Sequence, residues 1–447
     1  MAPRVTKKKT TWGTGGFFAN RELGALALVV LTPILVFPFW YLCTNLQGDV
    51  FRLAVTPGLL GKIFAACQPS RQAVAVFFGY IAFELVLQRW MPGKTFRAEG
   101  AMTVSGHVPV YKANGVQSYL FSILVLFLLR YDAKTPQPYL GLDPALVYDM
   151  MGQLLYLSNL TALALCVFLT FKGLNFPSTK ESGTTGSWIL DFFWGTDLYP
   201  NILGWDVKQF TNCRFGMMFW QLGIFCYAFK SMDLHGSLSS GMLVSVALQT
   251  VYIAKFFWWE TGYFQSMDIQ HDRGGYYICW GCMVWVPSVY TMHTLFLVAN
   301  PQLLSQPVAA LYLAAGVFCI WSNYDADRQR QEFRQTRGEC LVWGAKPSFI
   351  AAKYTTTDGE QRTSLLLTSG WWGISRHYHY IPEILASVFW CVPAQHQALA
   401  PYFYPFYLTL LLLDRSFRDD KRCADKYGPS WTLYCKAVEY KIIPGVV

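Results

Sequence analysis

The sequence predicts an all-α polytopic membrane protein of roughly ten transmembrane helices, and three observations carry that prediction. Of the 447 residues, 53% are hydrophobic and only 14% are charged, whereas a soluble globular chain has about a quarter of its residues charged. The mean hydropathy is +0.26. Apolar stretches long enough to cross a bilayer as a helix, roughly 20 residues each, recur along the chain.

These stretches fall near 22–45, 71–91, 116–130, 153–171, 215–229, 238–259, 275–298 and 307–323, with a shorter pair near 382–395 and 398–413. Residues 1–21 read as a basic, Gly-bearing, disordered tail. They lack a signal-peptide pattern, because the apolar run that follows is too long and no small-residue cleavage site closes it. Residues 22–323 read as the transmembrane bundle, with a polar connection at 172–212. Residues 324–447 alternate long polar loops with short apolar segments. Within them YTTTDGEQRTSLLL (354–367) predicts a small hairpin turning at Asp358-Gly359.

Lys and Arg gather in the tail (Arg4, Lys7, Lys8, Lys9), after the second span (Lys94, Arg97, Lys112), after the eighth (Arg328 to Arg362) and at the C-terminus (Arg415 to Lys426). With ten spans these all lie on one side, so both termini are expected in the cytosol. The formal net charge of +9 follows from this asymmetry, and no nucleic-acid motif accompanies it. The 12 cysteines are scattered, mostly in spans, as small buried hydrophobes and not a disulfide framework. Cys279 and Cys282 form a CxxC inside an apolar helix with no second pair, which favours packing over metal or redox chemistry. HExxH and HxxxH spacings are absent, so no metal centre is expected. GTGG at 13–16 has no βαβ context and is not a dinucleotide fingerprint.

Two polar, ring-rich segments stand out: LLLTSGWWGISRHYHY (365–380) and DRSFRDDKRCADKY (414–427). Beside membrane helices such clusters cost free energy unless they hold something polar. Arg330 and Arg334 share a helix face. Arg376 and His377 adjoin Tyr378, His379 and Tyr380. Asp419, Arg422, Cys423 and Lys426 recur at i, i+3, i+4 and i+7, Tyr427 is adjacent, and Tyr434 follows Gly428-Pro429. Singly, each Arg reads as an interfacial anchor. Together they supply what a dinucleotide needs, cations with fixed donors for its phosphates and stacking faces for its rings. Upstream, Glu260, Asp268, His271 and Asp272 form an acidic cluster that is either a substrate contact or structural pairing with Lys255, Arg214 or Arg273. Glu84, inside the second span, is open in the same way. Phe256, Phe257, Trp258, Trp259 and Tyr263 form an aromatic wall suited to a flat polycyclic ligand, or simply to packing.

These two segments, with DRQRQEFRQTRG (327–338), SMDIQHDRGGYY (266–277) and FTNCRFGMMFW (210–220), closely resemble the membrane-bound sterol reductases over nearly the whole chain beyond the first helix. The resemblance implies a C-terminal, cytosol-facing half that binds NADPH without a Rossmann fold. Carried over by motif, its contacts fall on Arg330, Arg334, Leu367, Trp372, Arg376, His377, His379, Tyr380, Asp419, Cys423, Ala424, Asp425, Lys426, Tyr427 and Tyr434. The cationic richness suits a 2′-phosphate, hence NADPH over NADH. The implied reaction is reduction of the C7–C8 double bond of 5,7-diene sterols; a Δ14 or side-chain double bond is the alternative, and a non-catalytic sterol-binding protein a further one.

Such a reaction needs a hydride and a proton, and Asp419 and Tyr434 are the candidate acids. A carboxyl in apolar surroundings stays protonated; the competing expectation pairs Asp419 with Arg415, Arg418 or Arg422. The expected partners are a sterol substrate and membrane lipids. An isoprenylcysteine-type methyltransferase would carry Arg-His-Pro where this chain has Arg-His-Tyr. A lamin B receptor-like scaffold would carry a soluble domain where only residues 1–21 precede the first span. GSWILDFFWGTDLYPN (186–201) departs from the family signature, with Asn201 in place of Arg and Leu190 where an aromatic or His often stands.

Overall fold

Long apolar helices dominate the computed structural model, which describes residues 22–98, 107–355 and 361–446. The tail at 1–21 and the Asp358-Gly359 turn lie outside the described residues. The helices used below are α1 (Glu22–Asn45), α2 (Arg71–Trp90), α3 (Gly115–Ala133), α4 (Leu146–Asn175), α5 (Met217–His235), α6 (Ser240–Trp258), α7 (Tyr276–Ala299), α8 (Gln306–Gln335), α9 (Tyr380–Cys391), α10 (Phe403–Tyr427) and α11 (Pro429–Ala437). Among the described residues, seven are long and apolar enough to cross a membrane: α1, α2, α3, α4, α6, α7 and α8. The chain is an all-α polytopic membrane protein.

The three other expected spans are also helices, and each falls short for a physical reason. Gln221, Lys230 and Asp233 lower the hydropathy of α5, which is largely buried. The 12 residues of α9 are too few to span. The apolar run of α10 ends at Asp414, and its C-terminal half is charged.

Local chemistry sets the helix ends. Ser70 and Ser239 accept from the N–H groups of Ala73 and Met242 and cap α2 and α6. Gly236, at φ 76°, closes α5 with a left-handed cap. The stretches 210–216 and 276–290 are π-wound, the second containing Pro287. Among the described residues two longer antiparallel hairpins interrupt the helices, β1 (Lys94–Arg97) with β2 (Val110–Ala113) and β3 (Phe349–Thr355) with β4 (Gln361–Leu367), beside a two-residue pair, Asn201–Ile202 with Trp205–Asp206. In the second hairpin, Phe349 faces Leu367 and Thr355 faces Gln361, so paired strands flank the expected turn, the first starting at Phe349, before the stretch that predicts the hairpin.

The chain divides into two compact units. Among the described residues, the first holds those of 22–309 and 391–404, the second those of 310–390 and 405–446. A polar pin runs through the first. Arg214, fully buried, pairs with Glu260 at 2.6 Å and donates to Asn114 Oδ1 at 2.5 Å. Glu260 also accepts from the Gly115 N–H. Asn114 donates in turn to the carbonyls of Leu87, Gln88 and Met91, satisfying the C-terminal end of α2.

Candidate functional site

In the second unit the C-terminal half of α8 positions the segment 370–380. Ser322 meets the Tyr378 hydroxyl at 3.1 Å, and Asn323 donates to the His379 carbonyl at 2.9 Å. The Trp372 indole donates to the Ala326 carbonyl and the Trp371 indole to Asp325. Gly370 starts this segment at φ 63°, with Gln329 and Val342 so close that a Cβ would overlap both. Only glycine meets both demands.

The rings and charges then converge. The Arg330 guanidinium lies 4.3 Å over the Trp372 ring and pairs with Asp327 at 2.9 Å. The rings of His377 and Tyr380 stack, 5.1 Å apart and 9° from parallel. The His379 ring is 4.4 Å from Tyr380 and 5.1 Å from Trp372. His377 Nε2 is 3.9 Å from Asp419, which pairs with Arg422 and has the Cys423 thiol 3.9 Å away. Tyr434 is 5% exposed and stacks on Trp431 at 5.1 Å.

The remaining sequence-predicted residues take distinct places. Arg376 spends its guanidinium on the carbonyls of Val438 and Glu439, while the backbone N–H groups of Arg376 and His377 donate to Tyr440 and Lys441. It acts as a clamp for the C-terminal segment. Leu367 is buried with Phe333, Val342 and Trp372, an apolar floor under the ring cluster. Arg334 is exposed one turn beyond Arg330. Ala424, Asp425 and Lys426 are exposed on α10; Lys426 covers the rings of Tyr354 and Tyr427, and Tyr427 donates to Ser364.

His377 Nε2 and His379 Nδ1 are buried without a hydrogen-bond partner. An orphaned buried polar group costs about 1–3 kcal/mol, so two of them beside an Arg-covered indole make this cluster the candidate for a polar, ring-bearing ligand. Burial holds both imidazoles neutral. The pKa of His377 falls to about 3, where the pull of Asp419 is outweighed by burial, His379, Arg330 and Arg376; that of His379 falls to about 4, chiefly through burial. From pH 6.5 down to these values the unfolded chain binds protons that the folded chain refuses, so stability is lost as pH falls through that window. Melting curves in detergent should show this decline, and His377→Gln with His379→Gln should flatten it.

Asp419 corrects an expectation. Burial raises its pKa, but Arg422, His377 and Arg330 oppose it and hold the carboxyl below its ordinary value. Apolar surroundings were expected to keep it protonated; the Arg422 pair keeps it ionised. Tyr434 goes the other way, its pKa raised by burial against the opposing cations Arg330 and Arg376.

The acidic cluster upstream sits in the first unit. Glu260 is the partner of Arg214 described above. Lys208, fully buried, donates to the backbone carbonyls of Asp268, Ile269 and Asp272, with its own pKa lowered to about 8 by burial against the pull of Asp206 and Asp272. His271 lies in the segment so held. Lys208 escaped sequence reasoning, and its one signal is a lone Lys between Trp205 and the apolar run at 215–220. Ser322, Asn323 and Asp325 escaped too, though polar residues on one stretch of an apolar helix were visible. Asn201 accepts from the Gly204 N–H at 2.9 Å and closes a tight turn between the paired residues Asn201–Ile202 and Trp205–Asp206. Cys279 and Cys282 are buried and unbridged.

Residues 44–447 match the ergosterol biosynthesis ERG4/ERG24 family. The chain belongs to this family of sterol reductases. It is 48% identical to a 7-dehydrocholesterol reductase of Arabidopsis thaliana over 431 residues, covering 94% of this chain and 96% of that enzyme. It is 33% identical to a 7-dehydrocholesterol reductase of Danio rerio, over 95% of this chain and 91% of that one. It is 34% identical to a Delta(14)-sterol reductase of Methylotuvimicrobium alcaliphilum, over 94% of each. A sterol reductase of this family draws on a reduced nicotinamide cofactor, and the donor set of the second unit fits one. The unbonded nitrogens of His377 and His379 suit a carboxamide or ribose.

Proposed function

We propose that this sterol reductase uses NADPH to reduce the C7–C8 double bond of 5,7-diene sterols in the endoplasmic reticulum membrane, with both termini cytosolic. The observation that carries the bond assignment is the 48% identity, nearly end to end, with a relative named for that reaction. In this reading residues 22–323 hold the sterol-facing region and residues 324–447 the cofactor-binding and catalytic half.

Arg330, fixed by Asp327 and Trp372, meets a cofactor phosphate. Arg334 and Lys426, both exposed, supply further positive charge for the 2′-phosphate. His377 and His379 orient the polar edge of the nicotinamide and ribose. When bound, the reduced cofactor supplies the hydride. Tyr434, kept protonated by burial, gives up its O–H proton to the other alkene carbon, and Arg330 and Arg376 stabilise the phenolate that remains. Asp419, ionised beside Arg422, orients His377 and balances the cations. The pairing of Glu260 with Arg214 supports a structural role for it; Asp268, His271 and Asp272 remain the candidates for meeting sterol.

The test is a membrane assay with NADPH and 7-dehydrocholesterol that follows the conjugated-diene absorbance. NADPH-dependent loss of the diene is expected. A folded protein that binds NADPH and leaves the diene intact moves the assignment to a Δ14 or side-chain bond, and failure to bind NADPH overturns the cofactor assignment.

A further inference from the structure

The first unit contains a cavity of about 410 Å³. It runs along α2 between α3, α4 and α5, from Gln72 to Phe83. At 1.5 Å of rise per residue this is about 16 Å, the long dimension of a four-ring sterol with part of its tail. None of the residues assigned above to the cofactor or to proton transfer lines it.

Its polarity is one-sided. Along its body the side-chain hydroxyls are already spent: Tyr80 donates to the Phe215 carbonyl, Ser122 to Glu84 and Ser158 to the Met283 carbonyl. Between them the walls are aliphatic and aromatic. The polar group that can serve a ligand is Gln72, at one end; Asp143, also on the lining, is engaged by Arg130, Lys134 and the Ala145 N–H. A long apolar body with one polar end is the chemical outline of a sterol and its single hydroxyl. That end lies at the N-terminus of a membrane-length helix, where a hydroxyl entering from the adjacent leaflet stays at the interface and pays no desolvation cost.

The floor is flat as well as apolar. Ala75 and Gly79 lie one turn apart on α2, and a Cβ added at Gly79 meets nothing within 4 Å. Phe77, Tyr80, Phe83 and Phe219 rise beside this strip. A rigid fused-ring system lies against such a strip with little entropy to lose, whereas an acyl chain must be ordered along its length. We propose that this cavity is a second, non-catalytic sterol site, distinct from the place where the double bond is reduced. The inference uses the sterol reductase family membership and not the C7–C8 assignment.

The test is photolabelling of the full-length chain in phosphatidylcholine vesicles with a diazirine-bearing cholesterol, mapping the labelled peptides. Label on 71–90 and 217–235, displaced by excess cholesterol, is expected. Gly79→Phe fills the open space without backbone strain and should cut that label by about tenfold, with diene reduction retained. Ala75→Leu is the second variant, should Gly79→Phe fail to give monodisperse protein. Diene reduction retained by the filling variant separates this site from the reaction, and its loss together with the label would make this cavity the substrate site and overturn the proposal. Absence of label on these helices, in favour of the surrounding acyl chains, overturns the proposal. So does label that excess cholesterol cannot displace, or that both filling variants leave unchanged.

Discussion

Tyr434→Phe is expected to lower turnover by about 10²–10⁴-fold, the range that a positioned general acid contributes, while cofactor affinity is retained. The substitution removes one hydroxyl and keeps the ring that stacks on Trp431, so the fold around α11 is undisturbed. Asp419→Asn is expected to behave differently. Asp419 carries the negative charge set against Arg422 and Arg330, and removing it leaves an excess of cations. Cofactor affinity and turnover should therefore shift together, with melting temperature falling as well. Equilibrium NADPH binding by fluorescence, run beside single-turnover diene loss, separates the two patterns. Full turnover by the Tyr434→Phe enzyme alongside a pure rate defect in Asp419→Asn would transfer the proton-donor role to Asp419.

That division of labour could not be read from the sequence, and the reason is physical. The one-face spacing of Asp419, Arg422 and Cys423 was legible, because helix periodicity alone fixes it. Whether the Asp is neutral or ionised depends on whether burial or the Arg422 pair wins, and pair geometry is a tertiary quantity. The membrane helices were legible for the same kind of reason: a bilayer demands long apolar runs, and the chain displays them openly. The exceptions differ: α9 and α10 were the short, uncertain pair, whereas α5 was expected to span and falls short through Gln221, Lys230 and Asp233. Most long-range polar contacts left no trace, although Arg214 was among the expected partners of Glu260. Nothing near Asn323 in sequence announces that it holds the His379 carbonyl, and nothing near Lys208 announces the three carbonyls it gathers.

Breaking the Arg214–Glu260 pair should produce the largest loss of stability in the chain. Both side chains are buried, 2.6 Å apart, and removing one partner of such a pair typically costs about 3–5 kcal/mol because the other is stranded as an uncompensated charge. Glu260→Gln strands Arg214, which also orients Asn114 and, through it, the carbonyls that end α2. The single variant should thus lose monodisperse protein on size exclusion and melt well below the wild type. Replacing both residues with Met removes the two charges together and should recover much of the loss. A structural pin and a sterol contact differ in their signatures here. If Glu260 instead met the substrate hydroxyl, Glu260→Gln would melt normally and raise the KM for sterol. A normal melting curve would thus move Glu260 back among the sterol-facing residues and leave Arg214 to be neutralised by a group other than its nearest carboxylate.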